Sequence, residues 1–266
     1  MKENGCEVFA PEFTNQGGGF RASYFAELAS LEAGNFWFRA RNKLILWAIE
    51  KYVPQFRSML EIGCGTAYVL AGIADRYPEK QLFGSEIFLT GLSFASKRIP
   101  SATFMQMDAR DIPFEQEFDL VGAFDVLEHI KEDELVLRQV HAALTPGGIL
   151  ILTVPQHGWL WSTVDEYACH ERRYDVDQLH HILKKAGFKI LRSTSFVSTL
   201  LPVMAVSRLL NRKSSSTDFD ALAEFNMPTW LNALLFAVLS WELRAIKLGV
   251  NLPIGGSRLV LAVKSE

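Results

Sequence analysis

The chain has 266 residues, 49% hydrophobic and 21% charged, so it is long enough to bury a large core and to form one or two domains. Its net charge of −3 and isoelectric point near 6.1 provide no field that gathers polyanions, which argues against nucleic acid as a partner. Three widely spaced cysteines, Cys6, Cys64 and Cys169, favour reduced thiols over a disulfide framework or a zinc site. We therefore expect a cytoplasmic protein with one core and appendages.

The first two segments precede the core. Residues 1–21 are polar, include Gly17–Gly19 and lack a basic stretch followed by an apolar one, so we expect a loose tail rather than a secretory signal or an anchor. Residues 22–56 show helical spacing over 22–34 and 36–52, and Pro54 ends the second helix. Since these helices precede the first strand, we expect them to form a lid over a ligand site.

Residues 57–197 alternate between strand and helix patterns, which predicts a parallel sheet covered on both faces. The predicted strands lie near 57–63, 80–86, 102–107, 117–124, 148–154 and 188–197. The predicted helices lie near 66–77, 89–98, 131–144 and 176–187.

Residues 198–257 form an insertion before a final strand segment, 258–266, whose strand candidate is Arg258–Lys264. Two apolar helices are predicted within it, Ser198–Leu210 and Thr229–Leu248, joined by a polar link over 211–220. The apolar stripe of the second helix is too wide for one solvated face. Packing against the sheet or a sister subunit is the favoured interpretation, while membrane contact and a lid for a greasy substrate stay open. The longest uncharged apolar run, 227–241, is shorter than the roughly 20 residues that span a bilayer.

The most informative motif is Met59-Leu60-Glu61-Ile62-Gly63-Cys64-Gly65-Thr66, a strand that meets two glycines and then a helix. Glycine takes positive φ and allows a ligand to approach the main chain. Glu86 ends the next strand about 20 positions on, where a carboxylate accepts the two hydroxyls of a ribose. Asp108 and Asp125 follow two further strands, and ligands of open α/β sheets bind at such strand ends.

The ordered series E-I-G-C-G-T, S-E, M-D-A, F-D-L-V, D-V-L-E-H-I and L-T-P-G-G resembles the class I S-adenosylmethionine-dependent methyltransferases over residues 36–197. Within that family it is most similar to the small-molecule branch that includes quinone-biosynthesis methyltransferases. The resemblance implies a doubly wound, Rossmann-like sheet of seven mostly parallel strands, with the last two antiparallel. It also implies S-adenosyl-L-methionine as cofactor and S-adenosyl-L-homocysteine as product.

The same resemblance assigns roles at the cofactor site. Glu61 would contact the cofactor, Asp108 with Ala109 would accept the adenine amine, and Phe124 with Asp125 would wall the methionine end. The alternative for Asp108 is stabilisation of its own turn. Trp37 and Arg41, four residues apart on one helix face, form a lid pair with a guanidinium for the cofactor carboxylate. The complete predicted cofactor set is Glu61, Gly63, Cys64, Gly65, Glu86, Ile87, Asp108, Ala109, Phe124, Asp125, Trp37 and Arg41.

Segment 159–174 follows the fifth strand and is dense in ionisable and aromatic side chains, so we expect it to face the transferred methyl group. The catalytic candidates are His170, His129 and Asp165, with His170 as the base for an attacking hydroxyl or amine. The candidates for substrate contact are Arg173, Tyr174 and Trp161. The alternatives are a loop tied together by Asp165, His170 and Arg173, and a helix-start anchor at Tyr174.

The segment Asp125–His129 places two carboxylates, of Asp125 and Glu128, and the imidazole of His129 within about one turn, and some similar quinone methyltransferases use such an acidic-acidic-His cluster for a divalent metal. A structural or pocket-wall role is the favoured interpretation, and no metal ligand is predicted.

These features predict a methyltransferase for a small-molecule or lipid-linked acceptor, with oxygen as the favoured nucleophile. One rival is an NAD(P)-dependent oxidoreductase, but Tyr68 replaces the third glycine of the dinucleotide fingerprint. A second rival is a non-catalytic cofactor-binding scaffold, against which the intact motif residues argue. Peripheral membrane contact and a homodimer stay open, and the acceptor is not legible in the sequence.

Overall fold

A computed structural model describes residues 2–3, 6–13, 24–211 and 227–265 of the chain. Within these ranges one mixed sheet has the strand order β1-β2-β5-β4-β3-β6-β7-β9-β8. The strands are β1 Lys2–Glu3, β2 Cys6–Val8, β3 Ser58–Ile62, β4 Gln81–Glu86, β5 Thr103–Gln106, β6 Phe118–Phe124, β7 Leu144–Pro155, β8 Phe188–Phe196 and β9 Ser257–Lys264. The helices are α1 Phe25–Leu31, α2 Phe36–Tyr52, α3 Tyr68–Arg76, α4 Leu89–Arg98, α5 Asp133–Ala143, α6 Thr163–Tyr167, α7 Val176–Lys185, α8 Leu201–Asn211 and α9 Thr229–Lys247.

The predicted fold class is confirmed, except that the described sheet has nine strands where seven were expected, because β1 and β2 add to the edge of the sheet at β5. Strands β5, β4, β3, β6 and β7 are parallel, and β9 runs antiparallel between β7 and β8. One face of the sheet packs against α2, α3, α4 and α9, and the opposite face packs against α5 and α7. Because parallel strands buried on both faces need continuous apolar runs, segments such as Ile149–Val154 contain almost no polar side chains.

The amino-terminal region departs from the expected loose tail at residues 6–13. Strand β2 pairs in parallel with β5, and β1 pairs with β2. The fully buried Gln106 explains this attachment, because its amide accepts a hydrogen bond from the N–H of Ala10 at 2.9 Å and donates one to the carbonyl oxygen of Ala10 at 2.6 Å. A side-chain amide thereby extends the ladder past the end of β5. Most of the predicted tail after residue 13 lies outside the described residues.

Both helices predicted in the insertion are present, as α8 and α9, while residues 212–220 of the predicted polar link lie outside the described part of the chain. Helix α9 packs along α2 and buries Leu239, Leu243 and Ile246 in the same core as Leu44. Among the described helices, none is both long enough and apolar enough to cross a bilayer.

The position of β9 predicts a large effect of a substitution there. Leu261 is fully buried between β7 and β8, so Leu261→Ala should lower the free energy of unfolding by about 2–5 kcal/mol. Urea denaturation of the purified chain measures this loss. Leu191→Ala is the matched control, since Leu191 on β8 is 43% exposed, and it should change stability by no more than about 0.5 kcal/mol. Equal effects of the two substitutions would contradict a central β9.

Candidate active site

A cavity of about 540 Å³ lies at the carboxyl ends of β3, β4, β5 and β6 and is covered by residues of α1 and α2. All twelve residues predicted to bind the cofactor line it, together with His129 and His170. The turns that follow successive parallel strands meet at this edge of the sheet, as the sequence pattern required. No residue of segment 198–257 that the structure describes lines the cavity, so the structure does not support a lid formed by the insertion.

The turn between β3 and α3 is shaped by residues in the left-handed region: φ is 61° at Gly63, 55° at Gly65 and 58° at Ala67. A Cβ atom on Gly63 would stand 2.7 Å from Cγ2 of Val126, so a side chain there would both strain the backbone and collide. Gly63 therefore packs closely against Val126, and both Gly63 and Gly65 lie on the cavity wall.

Glu86 is held by the backbone around it. Its carboxyl group accepts hydrogen bonds from the N–H of Gly65 at 3.1 Å, of Ile87 at 2.8 Å and of Phe88 at 3.2 Å. Burial raises the pKa of Glu86 to about 6, against the lowering effect of these three donors. The N–H groups of Ile87 and Phe88 both donate to Oε1 and that of Gly65 donates to Oε2, so of the four lone pairs on the two oxygens one, on Oε2, can still accept a hydroxyl of a ligand.

Arg41 joins the lid to the sheet. Its Nη1 forms an ion pair with Oδ2 of Asp125, and its guanidinium carbon lies 4.5 Å from the centre of the Trp37 ring. Asp125 has φ of 58°, which turns the chain directly after β6. Nε of Arg41 is buried and has no hydrogen-bond partner among the residues that the structure describes. Trp37 and Arg41, the predicted lid pair, are therefore in contact. Nε of Arg41 can donate a hydrogen bond to a ligand.

Glu61 is 3% exposed, and its Oε2 accepts no hydrogen bond from any described residue. Burial raises the pKa of Glu61 to about 8, although the charge of Arg41 lowers it. A buried acceptor without a donor is costly, so this carboxyl group is suited to a ligand that brings an N–H donor or a positive charge.

Asp108 is engaged by Arg110 in this structure. The Arg110 side chain contacts both Asp108 oxygens, at 2.7–3.1 Å, and its main-chain N–H donates to Oδ1 at 2.8 Å. The turn-stabilising alternative therefore describes part of what Asp108 does. Its place on the cavity wall keeps the predicted contact with an adenine amine geometrically open.

At the other end of the cavity, His170 is ordered by a buried carboxylate. Nδ1 of His170 lies 2.8 Å from Oδ1 of Asp165, so Nδ1 donates this hydrogen bond and Nε2 takes no part in it. Asp165 is fully buried and also receives Nε and Nη2 of Arg173 at 2.7 and 3.0 Å. Burial alone would raise the pKa of Asp165, but the hydrogen bonds and charges of His170 and Arg173 lower it to about 2.

Glu128, His129 and His170 place one ligand-type atom each within 4.8 Å of one another. Neither carboxyl oxygen of Glu128 accepts a hydrogen bond from another described residue, and burial, reinforced by Asp125, raises the pKa of Glu128 well above its ordinary value. Burial and the neighbouring His170 lower the pKa of His129 to about 4, so that imidazole is neutral at pH 7. The absence of a metal here stays a prediction.

The three predicted substrate residues do not line the cavity that the structure describes. Tyr174 is 1% exposed, and its hydroxyl donates to Oδ2 of Asp133 at 2.7 Å, so it anchors the start of α7. Arg173 forms an ion pair with Asp165. Trp161 is 36% exposed and lies outside the cavity wall. The loop-tying and anchor alternatives describe these positions better than substrate contact.

The sequence pattern did not reveal Glu32, an acidic residue on the cavity wall that contacts the glycine turn. Glu32, at the end of α1, accepts a hydrogen bond from Oγ1 of Thr66 at 2.6 Å and one from Nη1 of Arg98 at 2.9 Å. Burial raises the pKa of Glu32, although Thr66 and Arg98 lower it. The available signal was Thr66 itself, which directly follows the glycine turn, but nothing local ties it to residue 32.

Comparison with known proteins agrees with this geometry. Residues 60–152 match the model of a family described as a methyltransferase domain. A probable S-adenosylmethionine-dependent methyltransferase of Mycobacterium tuberculosis is 25% identical over 169 residues, which is 60% of this chain and 58% of that protein. The malonyl-[acyl-carrier protein] O-methyltransferase of Haemophilus ducreyi is 32% identical over 102 residues, which is 36% of this chain and 40% of that protein.

Among solved structures, phosphoethanolamine N-methyltransferase 2 of Haemonchus contortus superposes with a TM-score of 0.56, covering 85% of this chain and 53% of that one at 22% identity. That likeness shows the fold. The chain spans about 40–60% of the length of the curated relatives it matches.

Residues 60–152 therefore form a methyltransferase domain, and the predicted resemblance to the class I S-adenosylmethionine-dependent methyltransferases is confirmed.

The raised pKa of Glu61 makes a prediction for stability. Between its ordinary value of 4.5 and about 8, the folded chain holds a proton on Glu61 that the unfolded chain has lost, so this residue makes stability fall as pH rises through that window. Glu61→Gln should remove this contribution, which is at most about 1.4 kcal/mol per pH unit. Urea denaturation of both proteins from pH 4.5 to 8 measures the difference.

Glu115→Gln, at an exposed carboxyl group, is the control and should keep the wild-type slope. A Glu61→Gln protein with an unchanged slope would show that Glu61 is ionised in the folded chain at neutral pH.

Proposed function

We propose that this protein transfers a methyl group from S-adenosyl-L-methionine to an oxygen nucleophile of a small-molecule or lipid-linked acceptor. The observation that carries the proposal is the cavity around which the strand-end carboxylates Glu61, Glu86 and Asp125 converge beneath Arg41. Transferase activity, the acceptor class and the nucleophile are all part of this proposal.

The residues present fit the cofactor on two counts. The main-chain turn at Gly63 has no space for a Cβ, and Glu61 Oε2 and Arg41 Nε are buried polar atoms without partners among the described residues. A buried acceptor and a buried donor complement an α-amino group and a carboxylate. Glu86 would accept a ribose hydroxyl, and Asp108 the adenine amine once Arg110 yields part of its contact.

The bound cofactor would supply an electrophilic methyl group on a positively charged sulfur. The chain itself would align the acceptor with that methyl group and exclude water by closing α1 and α2 over the cavity. Its carboxylates would lie near the positive charge of the sulfur. His170 would take the proton of an acceptor hydroxyl at Nε2, since Nδ1 is committed to Asp165. Asp165 and Arg173 would keep the ring in the productive orientation.

The choice of oxygen rests on this base and on the relative from Haemophilus ducreyi, which is an O-methyltransferase by name. An oxygen nucleophile with a hydroxyl proton needs a base, whereas a free amine does not. An imidazole whose Nδ1 is held by a buried carboxylate is the arrangement that such chemistry uses. We also propose that the protein forms a homodimer and is located in the cytoplasm.

Ligand binding separates the proposal from its rivals. S-adenosylhomocysteine at about one hundred times its Kd should stabilise the folded chain by about 2.7 kcal/mol, raising Tm by several degrees. NADH should leave Tm unchanged, because Tyr68 stands where a dinucleotide site has its third glycine. Glu86→Gln should lose most of the shift, while Glu79→Gln, exposed just before β4, should keep it. Stabilisation by NADH but not by S-adenosylhomocysteine would overturn the proposal.

His170 should matter for turnover and not for cofactor binding. His170→Ala removes the proposed base, so methyl transfer to a hydroxyl acceptor should fall about 10²–10⁴-fold. The measurement is S-adenosylhomocysteine release with a panel of hydroxyl, carboxylic acid and amine acceptors, alongside calorimetry of cofactor binding. Normal rates with the hydroxyl acceptor would remove His170 from the mechanism, and a rate lost only through weaker cofactor binding would do the same.

Metal removal is expected to have no effect on the rate. If His170 acts as a base, its Nε2 cannot also be a metal ligand, so dialysis against EDTA should leave turnover unchanged. The Glu128→Gln protein should show the same insensitivity. A rate abolished by EDTA and restored by Mg²⁺ would contradict the prediction that this cluster holds no metal.

A further inference from the structure

The face of α9 that points away from the protein is apolar. It carries Trp230, Leu234, Ala237 and Trp241, spaced three or four residues apart, and Leu248 follows at the end of the helix. Trp230 and Trp241 are 67% and 69% exposed, and Leu248 is 87% exposed. We call these five residues the outer face of α9. Surface helices normally present polar side chains to water, so this row of exposed apolar side chains indicates an interaction surface.

The inner face explains why the apolar stripe is so wide. Leu239, Leu243 and Ile246 are buried in the core shared with α2. Packing against the protein therefore accounts for only one side of the helix. The apolar side chains of the outer face take no part in this packing.

The exposed charged side chains of α9 itself have one sign. Glu242 is the only acidic residue between Thr229 and Lys247, and it is buried, accepting hydrogen bonds from the N–H and Oγ1 of Thr199. Arg244 and Lys247 are exposed near the carboxyl end, and the Arg244 guanidinium lies 4.6 Å from the Trp241 ring centre. Lys43 of α2 lies 4.5 Å from the ring of Phe236. The apolar row is thus bordered by cations.

We propose that the outer face of α9 binds the surface of an anionic lipid bilayer. Tryptophan side chains favour the boundary between headgroups and acyl chains, and lysine and arginine are attracted to anionic headgroups. A helix lying in that boundary buries its apolar face without crossing the membrane.

A second copy of this chain fits the same face less well. A helix of 19 residues is about 28 Å long, and a strip about 10 Å wide along it offers about 300 Å². A stable protein interface needs about 800 Å² from each partner. A bilayer has no such minimum area and tolerates exposed cations at the border.

The same helix is bonded to the lid of the cavity. Asn232 of α9 accepts a hydrogen bond from the N–H of Phe36 and donates one to the carbonyl oxygen of Gly34, both at 2.7 Å. Gly34 and Phe36 join α1 to α2, the two helices that cover the cavity. Bilayer contact would bring this lid close to lipid, so the acceptor class becomes an amphipathic molecule held in the membrane. That last step rests on the proposed function, whereas bilayer binding does not.

Flotation of the full chain with lipid vesicles tests the proposal. The probes are vesicles of phosphatidylcholine alone and of an equimolar mixture of phosphatidylcholine and phosphatidylglycerol. We expect binding to the mixed vesicles that weakens with added salt. Trp230→Ser combined with Trp241→Ser should reduce it by about tenfold or more, as should Arg244→Glu combined with Lys247→Glu. The matched controls are Phe9→Ser and Lys97→Glu, exposed positions directly after β2 and on α4, toward the opposite edge of the sheet.

Binding to neither kind of vesicle would overturn the proposal, and so would binding that survives both double substitutions. Sedimentation velocity provides a further check, because a dimer that Trp230→Ser with Trp241→Ser dissociates would assign the face to a second copy instead. The S-adenosylhomocysteine shift in Tm should be the same in every variant. Loss of that shift in the wild type would refute the proposed function alone and leave the vesicle result standing.

Discussion

The cavity depends on how a buried arginine is placed among carboxyl groups. Arg41 contacts Asp125 and also interacts electrostatically with Glu61, Glu32 and Glu128. Removing several carboxylates from water is costly unless a cation or protons compensate. The chain uses both means, because Arg41 pairs with Asp125 while burial raises the pKa of Glu61, Glu32 and Glu128. The result is a pocket whose carboxyl oxygens can accept hydrogen bonds from a cationic ligand.

The glycine turn and the lid make this charge arrangement specific. Gly63 and Gly65 bring the main chain against the cavity, and the N–H of Gly65 helps to fix Glu86. Arg41 reaches the same place from α2, across the sheet edge, with Trp37 beneath its guanidinium. The glycine turn, the strand ends and α2 thus surround one cavity, and under the proposed function this enclosure would exclude water. This matters for methyl transfer, where alignment in a dry pocket contributes much of the rate.

Periodicity and strand-end chemistry were enough to predict the core and most of the cavity wall. Glu86 and Asp108 were recognisable because each ends an apolar run, and parallel strand ends must meet at one edge. Contacts between distant segments left no such mark. Glu32 reaches Thr66 only through the path of α1, and Gln106 holds Ala10 across 96 residues of chain. Tyr174 was predicted to contact substrate because polar and aromatic residues flank it in the sequence. Its hydroxyl instead donates a hydrogen bond to Asp133. Local patterns reveal which residues end strands, and they do not reveal which polar side chains are already satisfied.

The position of β9 has a consequence for biosynthesis. On the ribosome β7 and β8 are complete before residues 198–256 have been made, yet they pair with each other only through β9, which comes afterwards. Until then both strands have open hydrogen-bonding edges that can pair with other chains. Such non-local closure is slow and exposes the nascent chain to aggregation. Synthesis of this protein should therefore be sensitive to chaperone supply, particularly while α8 and α9 emerge.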